Sequence, residues 1–352
     1  MSSSLILPYF RWAFIVTLGG LCLGAAVGWI YEDSLSGLAR ALFICAVLAV
    51  LEISLSFDNA IVNANKLKGM TPAWQKRFLT WGIVIAVFGM RILFPLLIIV
   101  AAAHVGPWAA LKMAATDPHA YAEVLHRAHL PIAAFGGTFL MMVALNYFCD
   151  TDKRDHWLCW LESRLSAAAA ARGIEIVLVL ALALAASRLL GPEEGPRFFR
   201  AAIWGLLTYL LVNGGSAFLD ARLGEGTAGN VTGAVARGGL GAFLYLEMLD
   251  ASFSFDGVIG AFALSHNIFI IAIGLGIGAM YVRSLTIMLV EREVLSEYRY
   301  LEHGAFYAIL VLSLIMYAQV FVEVPEVITG CIGAGLIGLS FRASLRDRAR
   351  AG

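Results

Sequence analysis

Carboxylate and hydroxyl side chains recur in one arrangement at two places in this chain. The first is Leu51-Glu52-Ile53-Ser54-Leu55-Ser56-Phe57-Asp58-Asn59-Ala60-Ile61, the second Leu249-Asp250-Ala251-Ser252-Phe253-Ser254-Phe255-Asp256-Gly257-Val258-Ile259. Each copy sets an acid six residues before the aspartate of a Ser-Phe-Asp, and six of the eleven aligned positions are identical. Both lie in strongly apolar surroundings, where an ionisable group costs about 2.5–3.5 kcal/mol to insert in a bilayer and marks function by default. The donors are carboxylate, hydroxyl and amide oxygens with no Cys or His beside them. Such sets suit Mn²⁺, Mg²⁺ or Ca²⁺ better than Zn²⁺ or Cu⁺.

The elements that carry these residues belong in a membrane. The chain has 352 residues, 60% hydrophobic and 14% charged, with a mean hydropathy of +0.81. Soluble domains run at about 45–50% apolar and about 25% charged. Zero net charge argues against a nucleic-acid partner. Cys22, Cys45, Cys149, Cys159 and Cys331 are scattered, so neither a disulfide framework nor a zinc site is implied. No nucleophile and base fall together, so no enzyme and no cofactor are expected.

Ten segments are long enough to cross a hydrocarbon core, near residues 12–30, 38–64, 79–103, 130–149, 172–190, 199–217, 238–264, 267–290, 303–321 and 325–341. The first is too long for a signal peptide and lacks a clear A-x-A site, so it is kept as a span. With the N-terminus inside, the inner segments hold 17 Lys and Arg and the outer ones 6, which places both termini in the cytoplasm. Residues 104–129 and 150–171 read as short connectors. His104, His119, His126, His129 and His266 fall on outer loops and are expected to be solvated.

The repeat extends beyond the acids. Gly82 and Arg91 on the span after the first motif stand nine apart, as do Gly274 and Arg283 after the second; Ala134-Phe135 and Ala305-Phe306 echo each other further on. With ten spans the copies are offset by five, an odd number, so they run in opposite directions. The expected fold is therefore an all-α polytopic membrane protein of about ten helices in an inverted-topology repeat, residues 1–171 and 172–352, the second ending in a short basic tail. Secondary transporters use such repeats to build one site at the midplane. Gly274-Leu275-Gly276-Ile277-Gly278 lacks a nucleotide-binding context and reads as a close helix contact.

On an ideal helix Glu52 and Asp58 lie about 120° apart, so Glu52, Ser56, Asn59 and Asn63 line one face and Ser54 and Asp58 another. One cavity can receive both acids if the helix is central or unwinds near Asp58; Gly257 would tolerate a matching break in the second copy. Glu52, Asp58, Glu247, Asp250 and Asp256 set five potential negative charges against Arg91 and Arg283. A dication plus one proton would neutralise the deficit, as would protonation of three carboxyls. Each group also has a plainer reading: Glu247 as a hydrogen-bonded structural acid, the arginines as neutralising partners that lock the bundle, Arg283 as a snorkelling side chain. Glu302-His303, at the inner start of a span, reads equally as part of a proton path or as a helix cap.

Glu52-x-x-Leu55-Ser56-x-Asp58-Asn59 resembles the signature of the TerC family of integral membrane proteins. Leu246 to Phe262, Tyr281-Val282-Arg283-Ser284-Leu285-Thr286 and Leu301-Glu302-His303-Gly304-Ala305 resemble a bacterial branch of that superfamily long catalogued as a domain of unknown function. The resemblance spans about residues 38–340. It implies a bacterial inner-membrane protein associated with manganese export or tellurite resistance, with Glu52, Asp58 and Asn59 on the first acidic motif and Glu247, Asp250 and Asp256 on the second. Where the family often continues its second motif with Ser and Pro, this chain has Gly257-Val258. The expected function is export of a divalent cation, Mn²⁺ before Ca²⁺, in exchange for protons. The alternatives are a non-transporting factor that assists assembly or metallation of exported proteins, and an exporter of a small organic solute.

Overall fold

The computed structural model describes residues 7–150, 155–168, 173–224, 240–322 and 324–351. Among the described residues the chain is helical and has no strand. The elements are α1 (Leu7–Glu32), α2 (Leu35–Leu55), α3 (Phe57–Lys68), α4 (Pro72–Val84), a π-helical segment (Ile85–Leu93), α5 (Phe94–Ala103), α6 (Pro107–Thr116), α7 (Pro118–Arg127), α8 (His129–Phe148), α9 (Cys159–Ala168), α10 (Ile174–Leu189), α11 (Glu194–Gly224), α12 (Leu240–Leu264), α13 (Ile268–Glu291), α14 (Val294–Glu297), α15 (Leu301–Ala318) and α16 (Glu326–Ala351).

Six helices among the described residues are long and apolar enough to cross a membrane: α1, α2, α8, α13, α15 and Val327–Ala349 within α16. A seventh span arises if α4 and the segment from Ile85 to Val100, bent by 44°, count as one. The ten expected segments coincide with helices, but the count of ten is not established. α10 has only 16 residues, and every stretch of span length in α12 contains Glu247, Asp250 and Asp256. Leu18, Ile30, Phe43, Trp108 and Leu211 are among many large apolar side chains turned outward, an arrangement stable against lipid rather than water. The chain is a multi-pass membrane protein.

α1, α2 and α13 pack as one group, and α8, α11, α15 and α16 as another. α3 and α12 lie between, each touching members of both groups. This central placement explains why two helices that carry Asp58, Asn59 and Asn63, and Glu247 and Asp250, are tolerated. Their polar residues face protein, and the groups around them supply the apolar exterior.

Two expectations about continuity divide. The segment 38–64 is interrupted: α2 ends at Leu55, and Ser56 leaves helical geometry at φ −101°, ψ 16° before α3 begins. No matching break exists at Gly257, because α12 runs unbroken from Leu240 to Leu264. Gly257 serves instead as a close approach, since a Cβ there would stand 3.4 Å from Glu52 Oε2. His119 and His266 are not isolated in solvent either; their rings meet at 4.4 Å and join α7 to the α12–α13 turn.

The glycine run on α13 is a helix contact. A Cβ on Gly278 would fall 2.4 Å from Glu52 Cβ, and one on Gly274 would fall 2.7 Å from Leu48 Cβ. Gly278→Val should therefore destabilise the protein by about 1–3 kcal/mol through overpacking. Gly335→Ala on α16, where nothing lies within 4 Å, should be neutral or gain up to about 1 kcal/mol of helix propensity. Thermal melts of the two variants in one detergent check the contrast; equal melts would contradict it.

Candidate functional site

Local side-chain bonds mark the interruption at Ser56. Ser54 Oγ donates to Val50 O at 2.9 Å, and Ser252 Oγ repeats this bond to Met248 O at 3.0 Å in the second copy. Ser56 Oγ donates to Glu52 Oε1 at 3.1 Å, whereas the equivalent Ser254 does not reach its acid and its Oγ is buried without a hydrogen-bond partner. Asp250 is one methylene shorter than Glu52, and its Oδ1 accepts from Asn63 Nδ2 at 2.7 Å. The serine-to-acid bond is thus present in the interrupted copy and absent from the straight one. Past the interruption, Asp58 sits in the first turn of α3, where the helix dipole favours an anion, and accepts the Asn59 backbone N–H at 2.8 Å.

Arg91 reaches this site from the π segment. Its Nη2 donates to Glu52 Oε1 and its Nη1 to Ala86 O. Both side chains are nearly sealed, Arg91 at 4% exposure and Glu52 at 5%. A π turn inserts an extra residue and is characteristic of functional sites. Pro95 lies just beyond it, and a proline within a helix removes one hydrogen bond and crowds the carbonyl four residues earlier, which here is Arg91's own. The proline disturbs the ladder at the position where the arginine must leave it.

The second copy contributes Asp250 to the same layer. Glu247 and Arg283 lie beside it: a Cβ on Gly82 would stand 2.2 Å from Arg283 Nη2 and 2.8 Å from Glu247 Oε1. Arg283 is buried and covers the Phe78 ring at 4.0 Å. The side chain of Asp256 lies outside the described residues.

Two cavities of about 30 Å³ each flank the interruption, with Glu52 and Ser56 lining both. The first adds Ser54, Asp58 and Gly257, with Thr329 and Gly330 of α16. The second adds Asn59, Asn63, Asp250, Ser254, Arg91 and Arg283. The two polar faces expected from the helical wheel thus open on two separate cavities. In the second, Asn59 Oδ1, Asn63 Oδ1 and Ser254 Oγ are buried and have no hydrogen-bond partner, a condition that native structures keep rare. About 30 Å³ is room for one or two waters or one ion. Among the described residues no three His, Cys, Asp or Glu converge on a common metal position. Of the expected carboxylate ligands with described side chains, Glu52 and Asp250 share the second cavity, Glu52 and Asp58 the first, and Glu247 lines neither.

Glu302 and His303 prove to be separately engaged. Glu302 accepts from Asn65 Nδ2 at 2.5 Å, on the helix that carries Asn59 and Asn63. His303 Nε2 donates to Asp155 O at 2.8 Å and lies 3.5 Å from Glu162 Oε2. Fully buried Glu162 also accepts from Tyr307 Oη at 3.1 Å and from the backbone N–H groups of Trp157 and Leu158 at 3.2 and 3.1 Å. Its partners divide between the local turn, Trp157 and Leu158 with His156 Nδ1 at 3.1 Å, and the distant α15, so the local sequence announces a capped turn but not the contact with Tyr307, 145 residues away. Asn63 and Ser254 could be read from their i, i+4 spacing to Asn59 and Asp250.

Buried acids matched by buried arginines within apolar helices define the class: a multi-pass helical membrane protein with a charged interior layer. The chain belongs to the family described as "Protein of unknown function (DUF475)", which matches residues 57–351. The matched span holds every candidate residue except Glu52. No curated protein and no solved structure matches the chain.

Removing one member of a buried ion pair strands the other, whereas replacing both by apolar groups is often neutral. Glu52→Leu should cost about 3–5 kcal/mol, and Glu52→Leu with Arg91→Met should recover most of it; equal losses in single and double variants, by equilibrium unfolding in detergent, would refute the pairing. Outside the spans, hydrogen bonding from Arg299 holds the Asp155 carboxyl below its ordinary value. A depressed carboxyl stabilises the fold above its unfolded value of about 3.9, and the effect is lost as pH falls through the folded value. Wild type should thus melt higher than Asp155→Asn near pH 6 and approach it towards about pH 3; a constant gap would contradict this.

Proposed function

We propose that this chain is a transporter of the bacterial cytoplasmic membrane, with both termini inside, that exports a divalent cation, Mn²⁺ foremost, in exchange for protons. The observation that carries the reading is the second cavity, where three buried oxygens without partners stand beside the carboxylates of Glu52 and Asp250. A donor set of oxygens alone matches a hard cation. Glu52, Asp58, Glu247, Asp250 and Asp256 against Arg91 and Arg283 leave three negative charges when all are ionised. A dication and one proton balance that number.

Further support comes from how the halves meet. Gly274 and Gly278 of the second half receive Leu48 and Glu52 of the first, while Gly82 of the first receives Glu247 and Arg283 of the second. This reciprocity is what an inverted repeat would produce, with its site at the repeat interface. The resemblance to the TerC superfamily points the same way. Tellurite tolerance, on this reading, is a consequence of altered ion balance.

In the cycle, the cation sheds water into the oxygen set, the two groups of helices rock about α3 and α12, and protons arriving from outside compete for Glu52 and Asp250 and release it. The α3 side chains Asn59, Asn63 and Asn65 mark the inner approach, which ends at Glu302. Asn63 both offers an unpaired oxygen and holds Asp250, so Asn63→Leu should weaken apparent Mn²⁺ affinity about 10- to 100-fold. Reconstituted wild-type protein should move Mn²⁺ when a pH gradient is imposed, and Asp250→Asn should not. Absence of Mn²⁺ and Ca²⁺ flux from folded wild-type protein would turn the reading towards an assembly factor or an organic-solute exporter.

A further inference from the structure

The two acid–arginine pairs are in opposite conditions. In the first half the pair is closed, with Arg91 bonded to Glu52 Oε1 and to Ala86 O. In the second half it is open: Arg283 Nη2 and both Glu247 oxygens are buried with no hydrogen-bond partner, although Arg283 Nη2 and Glu247 Oε1 crowd the same bare Cα of Gly82. An arginine and an acid buried this close without bonding form a pair that a small movement would close. The helices differ to match. Arg91 lies in the π segment, whereas Arg283 lies in the continuous helix α13. Arg91 is the seventh of the nine residues of that segment, so a return of its turns to α-helical register rotates Arg91 relative to Ile85 and draws it off Glu52.

Charge sets the direction of the exchange. Arg91 lines the second cavity together with Glu52, Asn59, Asn63, Asp250 and Ser254. It therefore holds positive charge against the carboxylate that an entering cation would need. A dication and a guanidinium both facing Glu52 would repel at close range in a low dielectric, so loading favours withdrawal of Arg91. An empty carrier with Arg91 in place has Glu52 already neutralised, and can reorient without a proton on that acid.

Resting on the transporter reading above, we propose that Arg91 is a tethered stand-in for the cargo cation. It occupies Glu52 in the unloaded protein, is displaced through the π segment when the cavity fills, and hands closure of the layer to Arg283 and Glu247.

The stand-in serves the return of the empty carrier and competes with cargo binding, so its removal separates two kinds of flux. Radiolabelled Mn²⁺ is followed in proteoliposomes in two modes: equilibrium exchange with Mn²⁺ on both sides, and net flux driven by a pH gradient. Arg91→Gln should bind Mn²⁺ about tenfold more tightly, because the competing occupied form is gone. Its net flux should fall about tenfold or more relative to its own exchange rate, as an empty carrier with a bare buried carboxylate returns slowly. Arg91→Lys keeps the charge and the fold if Arg91→Gln does not assemble, and should show a smaller drop in the ratio of net flux to exchange. Parallel loss of both modes, an unchanged ratio in the variants that fold, or weaker Mn²⁺ binding in Arg91→Gln overturns the stand-in role and leaves the transporter reading intact. Wild-type protein without either mode of flux overturns both.

Discussion

The ion pair between Glu52 and Arg91 is the constraint around which the rest of the interior is arranged. Both partners are nearly sealed from water, and each is carried on a distorted piece of helix, Glu52 one turn before the Ser56 interruption and Arg91 inside the π segment. Regular helices would not deliver these two atoms to each other at this point. On one side the distortion carries the Ser56–Glu52 bond that the straight copy lacks, and on the other a proline lies just past the arginine. Glycines then admit the carboxylate: Gly278 against its Cβ and Gly257 against its Oε2. These local choices agree on the placement of one acid.

Around that acid the polar layer is incomplete by design of its chemistry. In the second cavity the oxygens of Asn59, Asn63 and Ser254 are buried without partners, and so are the donors Arg91 Nε and Arg283 Nη2, a surplus of unmet polar groups. Such a surplus is costly in a static scaffold. It is suited to a site that trades occupants, since water, a proton or a metal ion can each satisfy it in turn. The apolar packing of α1, α2 and α13 on one side and of α8, α11, α15 and α16 on the other walls the layer in.

Much of this layer is legible along the chain because helical periodicity survives in it. The division of Glu52, Ser56, Asn59 and Asn63 from Ser54 and Asp58 follows from spacing alone; the two cavities separate Asn59 and Asn63 from Ser54 and Asp58, while Glu52 and Ser56 line both. The interruption was expected near Asp58 and lies two residues earlier, because Ser56 rather than the acid carries the bend. Gly257 misleads: a glycine beside an acid suggests a break, but here it makes room for a carboxylate on another helix, which no single segment can reveal. Pro95 was the overlooked signal for the π segment, since the apolar run from residue 79 to 103 hides it. The contacts of Glu162 with Tyr307 and of His119 with His266 join distant parts of the chain and have no local signature.

The central claim is that the second cavity is a binding site for a divalent cation. Anomalous scattering at the manganese edge, from crystals of the protein grown with Mn²⁺, locates such an ion without reference to transport. The account predicts a peak between Asn59, Asn63, Asp250 and Ser254, with Arg91 drawn away from Glu52. Peaks confined to exposed carboxylates, with the cavity empty and the Glu52–Arg91 pair intact at saturating Mn²⁺, would contradict it.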